Sequence, residues 1–272
     1  MKEKLNLVCD AFTHLTGGNK GYSVHGKTSK YIEWVFDNSA DITFYVDNKI
    51  NQALNDKSDT KKYGWLHESK YIIPHIIQDV KNNYQEYFEV FDIIFTHNKE
   101  LLDLDERFKW VPANGFWIKE PKIYDKSKMI SFITSNKNFT PGHAKRLEWV
   151  QRIGDQVDLY GRGFSEVENK EDALCDYMFS VVVENGFYES YYTEKILDCF
   201  ATGTVPVYLG CPNIGDFFNI EGIIELTDEF DVSDEIYYDK MDAIKDNLER
   251  VKQIEVLEDY IYKFYLEKNV IV

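Results

Sequence analysis

Val181-Val-Val-Glu-Asn-Gly-Phe-Tyr-Glu-Ser-Tyr-Tyr-Thr-Glu-Lys-Ile-Leu-Asp-Cys-Phe-Ala-Thr-Gly-Thr-Val-Pro-Val-Tyr-Leu-Gly210 decides how this chain of 272 residues reads. Three valines open it as a buried strand, and a polar loop carries the chain to Thr193-Glu194-Lys195, where a helix begins. Gly203 stops that helix, and residues 205–209 form a second buried strand. Thr193 is a natural N-cap, since its hydroxyl can accept a hydrogen bond from a free N–H of the first turn. An asparagine, two glutamates, a lysine and several tyrosines thus gather around one helix N-terminus at the carboxyl end of a strand. Open α/β sheets bind nucleotides and phosphates there, because free N–H groups and the helix dipole attract anions. A cation at a helix N-terminus is intrinsically unfavourable, so Lys195 implies an anion that binds beside it.

Outward from this unit, short β-rich runs alternate with helical stretches, the α/β pattern. Strands are expected over 5–9, 42–46, 63–67, 91–96 and 108–111, and helices over 27–36, 73–83 and 99–103. Residues 17–21, Gly-Gly-Asn-Lys-Gly, make a loop by composition. Residues 114–126, with Pro112 just before and Pro121 inside, read as a crossover between domains. The second half restarts with a strand over 129–134 that ends at Ser135-Asn136. A helix over 144–153 and a strand over 156–160 follow, then the turn Gly161-Arg162-Gly163. A strand over 223–226 and two acidic helical segments, 233–251 and 254–267, close the chain. The length suits two compact domains. They divide as 1–122 and 123–272, and the last helix could pack back on the first.

The composition narrows the class. A count of 31 basic against 47 acidic residues gives a formal charge of −16. Such a field repels polyanions and disfavours nucleic acid as a partner, although one local basic site can still hold a nucleotide. Hydrophobic content of 44% and aromatic content of 15% supply folded cores rather than disorder. The first residues run straight into a strand without the features of a signal peptide. No apolar run reaches the roughly 20 residues that cross a bilayer, so the expected location is cytoplasmic. Cys9, Cys175, Cys199 and Cys211 are scattered, which reads as reduced thiols rather than a disulfide framework or a zinc site.

The opening stretch resembles the signature of the family 10 glycosyltransferases, the α-1,3/1,4-fucosyltransferases. The residues that carry the likeness are Glu184-Asn185, Tyr191-Tyr192-Thr193-Glu194-Lys195, Gly203-Thr204-Val205-Pro206-Val207 and Gly210. Ser135-Asn136 followed by Arg146-Leu147-Glu148-Trp149 looks like a second family element, here with several extra residues that include Pro141-Gly142-His143. The resemblance implies a GT-B fold, two Rossmann-like domains facing across a cleft, with the donor held mainly by the carboxyl-terminal one. It also implies GDP-fucose as donor, a glycan hydroxyl as acceptor, and inversion at the anomeric carbon in a single displacement.

Transfer from a nucleotide sugar requires a grip on the diphosphate, neutralisation of its charge as it leaves, and removal of the acceptor proton. Lys195 and Arg146 are the candidates for the first two, the guanidinium because its planar fork pairs two phosphate oxygens. Lys145 or His143 could share that work. Glu194 would bond sugar or ribose hydroxyls, with Asn185, Tyr191, Thr193, Ser135 and Asn136 lining the donor pocket. Glu184 either offsets positive charge on the sugar ring or orients Lys195; the residues leave both open. Tyr160 and Gly161 sit where a nucleotide base or ribose could lie, and a core tyrosine is the plain alternative for Tyr160. Glu68, in Trp65-Leu66-His67-Glu68-Ser69, is the candidate base, matching a family strand-end Glu-Ser in which proline follows; here Lys70 follows. His67, Asp10 and His14 compete with it.

Asp103-Leu104-Asp105 spells the Asp-x-Asp of metal-dependent transferases, but its surroundings read as a solvated helix end. With two cations available, no metal is required. Two rivals stand beside the main reading. One keeps the fold and changes the donor, or takes an acceptor such as a modified DNA base. The other is a catalytically silent nucleotide-sugar-binding protein.

Overall fold

The computed structural model describes residues 2–10 and 28–267. His14 and the loop over 17–21 lie outside those residues. The chain divides into two compact units, one of Met1–Ala113 with Glu255–Val272 and one of Asn114–Ile254. The boundary therefore falls before the segment 114–122, and the last residues belong with the first unit.

The first unit is built on six parallel strands: β1 (Glu3–Val8), β2 (Ile32–Val35), β3 (Ile42–Val46), β4 (Lys61–Leu66), β5 (Ile93–Thr96) and β6 (Phe108–Trp110). Their order is β2-β1-β3-β4-β5-β6. Side chains alternate between two buried faces, as a sheet covered on both sides requires. Phe44, Val46, Trp65 and Phe95 point to one core, and Tyr45, Leu66 and Ile94 to the other. Helix α1 (Pro74–Tyr87) covers the second face with Ile76, Ile77 and Val80. The first face is closed from far along the chain by α2 (Leu257–Ile261) and the π-helical turn after it, through Leu257, Ile261 and Leu266. Buried polar contacts pin this return: Ser29 Oγ donates to Asp259 Oδ1 at 2.6 Å, and Trp34 Nε1 to Glu258 Oε1 at 3.3 Å.

One expectation is corrected here. Residues 32–35 form strand β2 instead of part of a helix over 27–36. Ile32 and Trp34 are buried while Glu33 and Val35 are half-buried, a period of two. Pairing with β1 supplies the backbone partners that a helix would otherwise provide.

The second unit carries five parallel strands, β7 (Lys128–Ile133), β8 (Asp158–Tyr160), β9 (Tyr177–Val183), β10 (Val205–Leu209) and β11 (Ile224–Glu225), in the order β11-β10-β9-β7-β8. Every residue of β9 is buried, as suits the central strand. Helix α3 (Pro141–Ile153) connects β7 to β8, and α4 (Glu194–Thr202) connects β9 to β10. The expected crossover packs on this unit: the N–H groups of Lys122 and Tyr124 bond the carbonyls of Ala201 and Thr202. The Lys126 ammonium donates to the carbonyls of Cys175 and Thr202 at 2.9 Å each and to Thr204 Oγ1 at 3.0 Å. Burial still pushes that amine down to about 8. Among the described residues, no helix is long and apolar enough to cross a membrane.

Candidate active site

In the second sheet the chain leaves β7 for β8 on one side and then returns to β9 on the other, so the strand order reverses between β7 and β9. The carboxyl ends of strands at such a reversal splay apart and leave a crevice. A cavity of about 200 Å³ opens there, lined among others by Ser135, Arg146, Lys170, Glu194, Lys195 and Asp198.

Helix α4 supplies one wall. Thr193 caps it, its hydroxyl accepting the Lys195 N–H at 3.4 Å. Gly203 ends it in the left-handed region at φ 70°, where glycine is favoured. Glu184, at the end of β9 and wholly buried, holds the start of the helix. Its carboxylate accepts the Thr193 N–H at 2.9 Å and the Thr193 hydroxyl at 2.7 Å. Burial raises the Glu184 pKa; Lys195, 3.8 Å away, and the Thr193 bonds work against that rise. Lys195 Nζ lies 3.0 Å from Glu194 Oε1 and 3.1 Å from Thr193 Oγ1. Glu194 Oε2 accepts from Asn114 Nδ2 at 3.0 Å. Burial opposes the charge of Glu194, but Lys195 and Lys170 outweigh it and hold its carboxyl far below the usual range.

Helix α3 supplies the facing wall. Gly142 lets its first turn sit directly on the β9 end, for a Cβ there would lie 1.9 Å from the Glu184 carbonyl oxygen. Arg146, one turn on, is buried; its Nε donates to the Gly142 carbonyl at 3.3 Å and its Nη2 to Asn185 Oδ1. Burial lowers the guanidinium's pKa, offset in part by Glu184, Tyr191 and Glu194. His143, beside it, is pushed down to about 4 by burial and by Arg146, so it is neutral at physiological pH.

The cavity therefore does not present bare positive charge. Arg146, Lys170 and Lys195 stand against Glu184, Glu194 and Asp198, three cations to three carboxyls. Lys170 pairs with Asp198 at 2.6 Å and with Glu194 at 3.6 Å, and Asp198 also accepts the Trp117 N–H at 2.6 Å. An incoming anion can compete for Lys195 and Arg146, whose present partners are short and local.

Of the residues anticipated from sequence, Ser135, Arg146, Glu194 and Lys195 line this cavity; Asn185 bonds Arg146, Thr193 bonds Lys195, and Glu184 lies 3.8 Å from Lys195. Tyr191 is buried and stacks on Tyr188 at 4.6 Å. Asn136, Tyr160 and Gly161 are not in the lining. The Tyr160 hydroxyl is engaged with that of Tyr177 at 2.7 Å. Gly161, at φ 107°, is required by contact: a Cβ would lie 2.0 Å from the Thr134 carbonyl oxygen. Lys145 pairs with Glu148 at 2.8 Å along the helix. Lys170, Asp198, Asn114 and Trp117 escaped the sequence reading. Asp198 carried a signal, lying four residues after Glu194 and so on the same helix face. Lys170, in the acidic loop before β9, carried none.

Glu68 lies in the first unit, half-buried in the turn after β4. Its N–H and that of His67 donate to Asp47 Oδ1 at 3.1 and 2.8 Å. Lys70, where the family has proline, pairs with Glu100 at 2.7 Å. Asp10 pairs with Lys49 at 3.0 Å, and His67 is buried. Asp103 and Asp105 bind Lys99 and Arg107, each at 2.7 Å, as a solvated helix end does.

Residues 123–255 match the family model described as glycosyltransferase family 10 (fucosyltransferase) C-term. A stretch of 129 residues is 28% identical to 4-galactosyl-N-acetylglucosaminide 3-alpha-L-fucosyltransferase 9 of Cricetulus griseus, covering 44% of this chain and 34% of the relative. Another of 115 residues is 34% identical to Alpha-(1,3)-fucosyltransferase FucT of Helicobacter pylori, covering 40% and 23%. The chain thus spans about a third or less of the length of these curated relatives. The fold is that of a crystal structure of an alpha1,3-fucosyltransferase with GDP-fucose, at a TM-score of 0.52 and 16% identity, over 93% of this chain and 82% of that one. This is the GT-B architecture of two Rossmann-like α/β units.

Proposed function

We propose that the protein is an inverting glycosyltransferase that moves fucose from GDP-fucose to a glycan hydroxyl. One observation carries the reading: Arg146 and Lys195 meet at the strand-order reversal of a family 10 domain, where a diphosphate would find two cations and a helix N-terminus. The related structure that holds GDP-fucose supports the choice of donor.

The roles follow from chemistry. The diphosphate replaces Glu194 and Asn185 as partner of Lys195 and Arg146. Released from Lys195, Glu194 accepts hydrogen bonds from hydroxyls of the donor. Glu68 takes the proton of the acceptor hydroxyl as that oxygen bonds the anomeric carbon. The bond from that carbon to phosphate breaks on the opposite face, and GDP leaves with its new charge held by Arg146 and Lys195. No metal is needed in this scheme.

A thermal-shift panel of GDP, UDP, CDP and ADP tests the donor, because a ligand of the folded state raises the melting temperature. GDP should give the largest rise. A rise with UDP and none with GDP would remove the fucosyl reading. Release of GDP from GDP-fucose, followed across a glycan array, tests transfer and identifies the acceptor.

A further inference from the structure

Asp47 follows directly on β3, at the carboxyl end of the first sheet beside its own strand-order reversal between β1 and β3. Three observations set it apart. Its backbone lies in the left-handed region at φ 48°, which side chains other than glycine adopt only when their surroundings hold them there. The residue is only 4% exposed. One oxygen, Oδ1, accepts the N–H groups of both His67 and Glu68, while Oδ2 is buried without a hydrogen-bond partner among the described residues. A plain turn-holding aspartate would not need to bury a second oxygen with nothing to bond.

We propose that Asp47 is a positioning residue for Glu68, fixing the turn that presents the Glu68 carboxyl and coupling electrostatically to it, so that the two carboxyls titrate as a pair. The inference rests on Glu68 being the base. Geometry gives the first half, since both N–H groups that define the turn end on one oxygen. Burial gives the second, because two carboxyls at adjoining strand ends resist ionising together. The tendency of Asp47 toward protonation, up to about 7, has burial as its main cause and Glu68 as its neighbouring charge. A proton on Asp47 would sit on Oδ2, because Oδ1 already accepts two N–H groups. The other titratable groups at these strand ends are His67 after β4, His97 after β5, and the Lys49–Asp10 pair. Burial and His67 push His97 down to about 3, so it carries no charge into the pair at neutral pH.

Glu68→Gln removes the neighbouring charge and leaves Asp47 in place. Carboxyl carbon NMR titration of the full chain, wild type against Glu68→Gln, reads the coupling directly. The Asp47 midpoint should fall by at least about half a pH unit in the variant, as loss of a nearby like charge requires. An unmoved Asp47 midpoint overturns the proposal. Should the variant fail to fold, the wild type alone decides: mutually dependent two-step curves at Asp47 and Glu68 support the pairing, and two independent single steps refute it. Glu68→Gln separates the two readings. Full transfer by that variant removes the base assignment, whatever the NMR shows. Lost transfer in Glu68→Gln with an unmoved Asp47 midpoint removes only the role of Asp47.

Discussion

Replacing Lys195 with methionine keeps most of the apolar stem and deletes the charge. The ammonium now sits 3.0 Å from Glu194, 3.1 Å from the Thr193 hydroxyl and 3.8 Å from Glu184. With it gone, two cations face three carboxyls, and the cavity changes from balanced to negative. A charge-assisted hydrogen bond to phosphate contributes about 1.5–3 kcal/mol. A carboxylate left bare about 6 Å from a phosphate charge adds repulsion of about 3 kcal/mol at an effective dielectric constant of 20. Glu184, already inclined to protonate, can relieve part of this. A net loss of about 3 kcal/mol corresponds to GDP affinity roughly a hundredfold weaker. Isothermal titration of GDP at fixed ionic strength measures it, with Lys195→Arg as the charge-conserving control and circular dichroism to verify folding. A folded Lys195→Met variant that binds GDP within a factor of about three of wild type would refute the clamp, since the loss required by the charge count is far larger.

Three further outcomes are expected. Gly142→Ala drives a methyl into the Glu184 carbonyl at 1.9 Å and should cost about 3 kcal/mol, a melting temperature lower by roughly 10 °C in differential scanning calorimetry. Leu257→Ala empties a fully buried position and should cost about 2–5 kcal/mol, read by hydrogen exchange as faster opening of the first unit with the second unaffected. The third concerns pH. The Asp47 carboxyl rises from its ordinary 3.8 to about 7 in the folded chain, chiefly by burial. The folded state therefore holds the proton more tightly than the unfolded one. The resulting stabilisation is complete below 3.8 and is lost as pH climbs through 7. Asp47→Asn has no such slope, so its stability relative to wild type should increase by up to about 4 kcal/mol between these limits, measured by urea unfolding at stepped pH.

Much of this was legible because central parallel strands are continuous apolar runs. Val181–Val183 and Val205–Val207 have no alternative but burial, and Thr193 and Gly203 mark both ends of the helix between them. The strand over 32–35 was misread because Tyr31-Ile32-Glu33-Trp34-Val35-Phe36 is too short and too evenly amphipathic for period alone to separate strand from helix. Lys170 meeting Asp198, and Asp47 holding the turn at Glu68, are contacts between segments far apart in sequence. No local pattern announces them, and only the folded sheet brings them together. The charge balance at the Lys195 mouth was hidden for the same reason. Glu194 was visible beside it and Glu184 was a candidate to orient it, but the reach of Lys170 depends on distant segments meeting the helix.

The first unit is discontinuous along the chain: all six strands precede Ala113, whereas Leu257, Ile261 and Leu266, which cover one face, are translated only after residues 114–254. On a ribosome that gap lasts on the order of ten seconds. For that interval a layer bearing Phe44, Trp65 and Phe95 is complete in its backbone pairing but uncapped, while the intervening segment is contiguous and free to close first. Biogenesis thus inverts the order of the sequence. The portion made first is sealed last, and its naked aromatic layer is where chaperone holding or aggregation would begin.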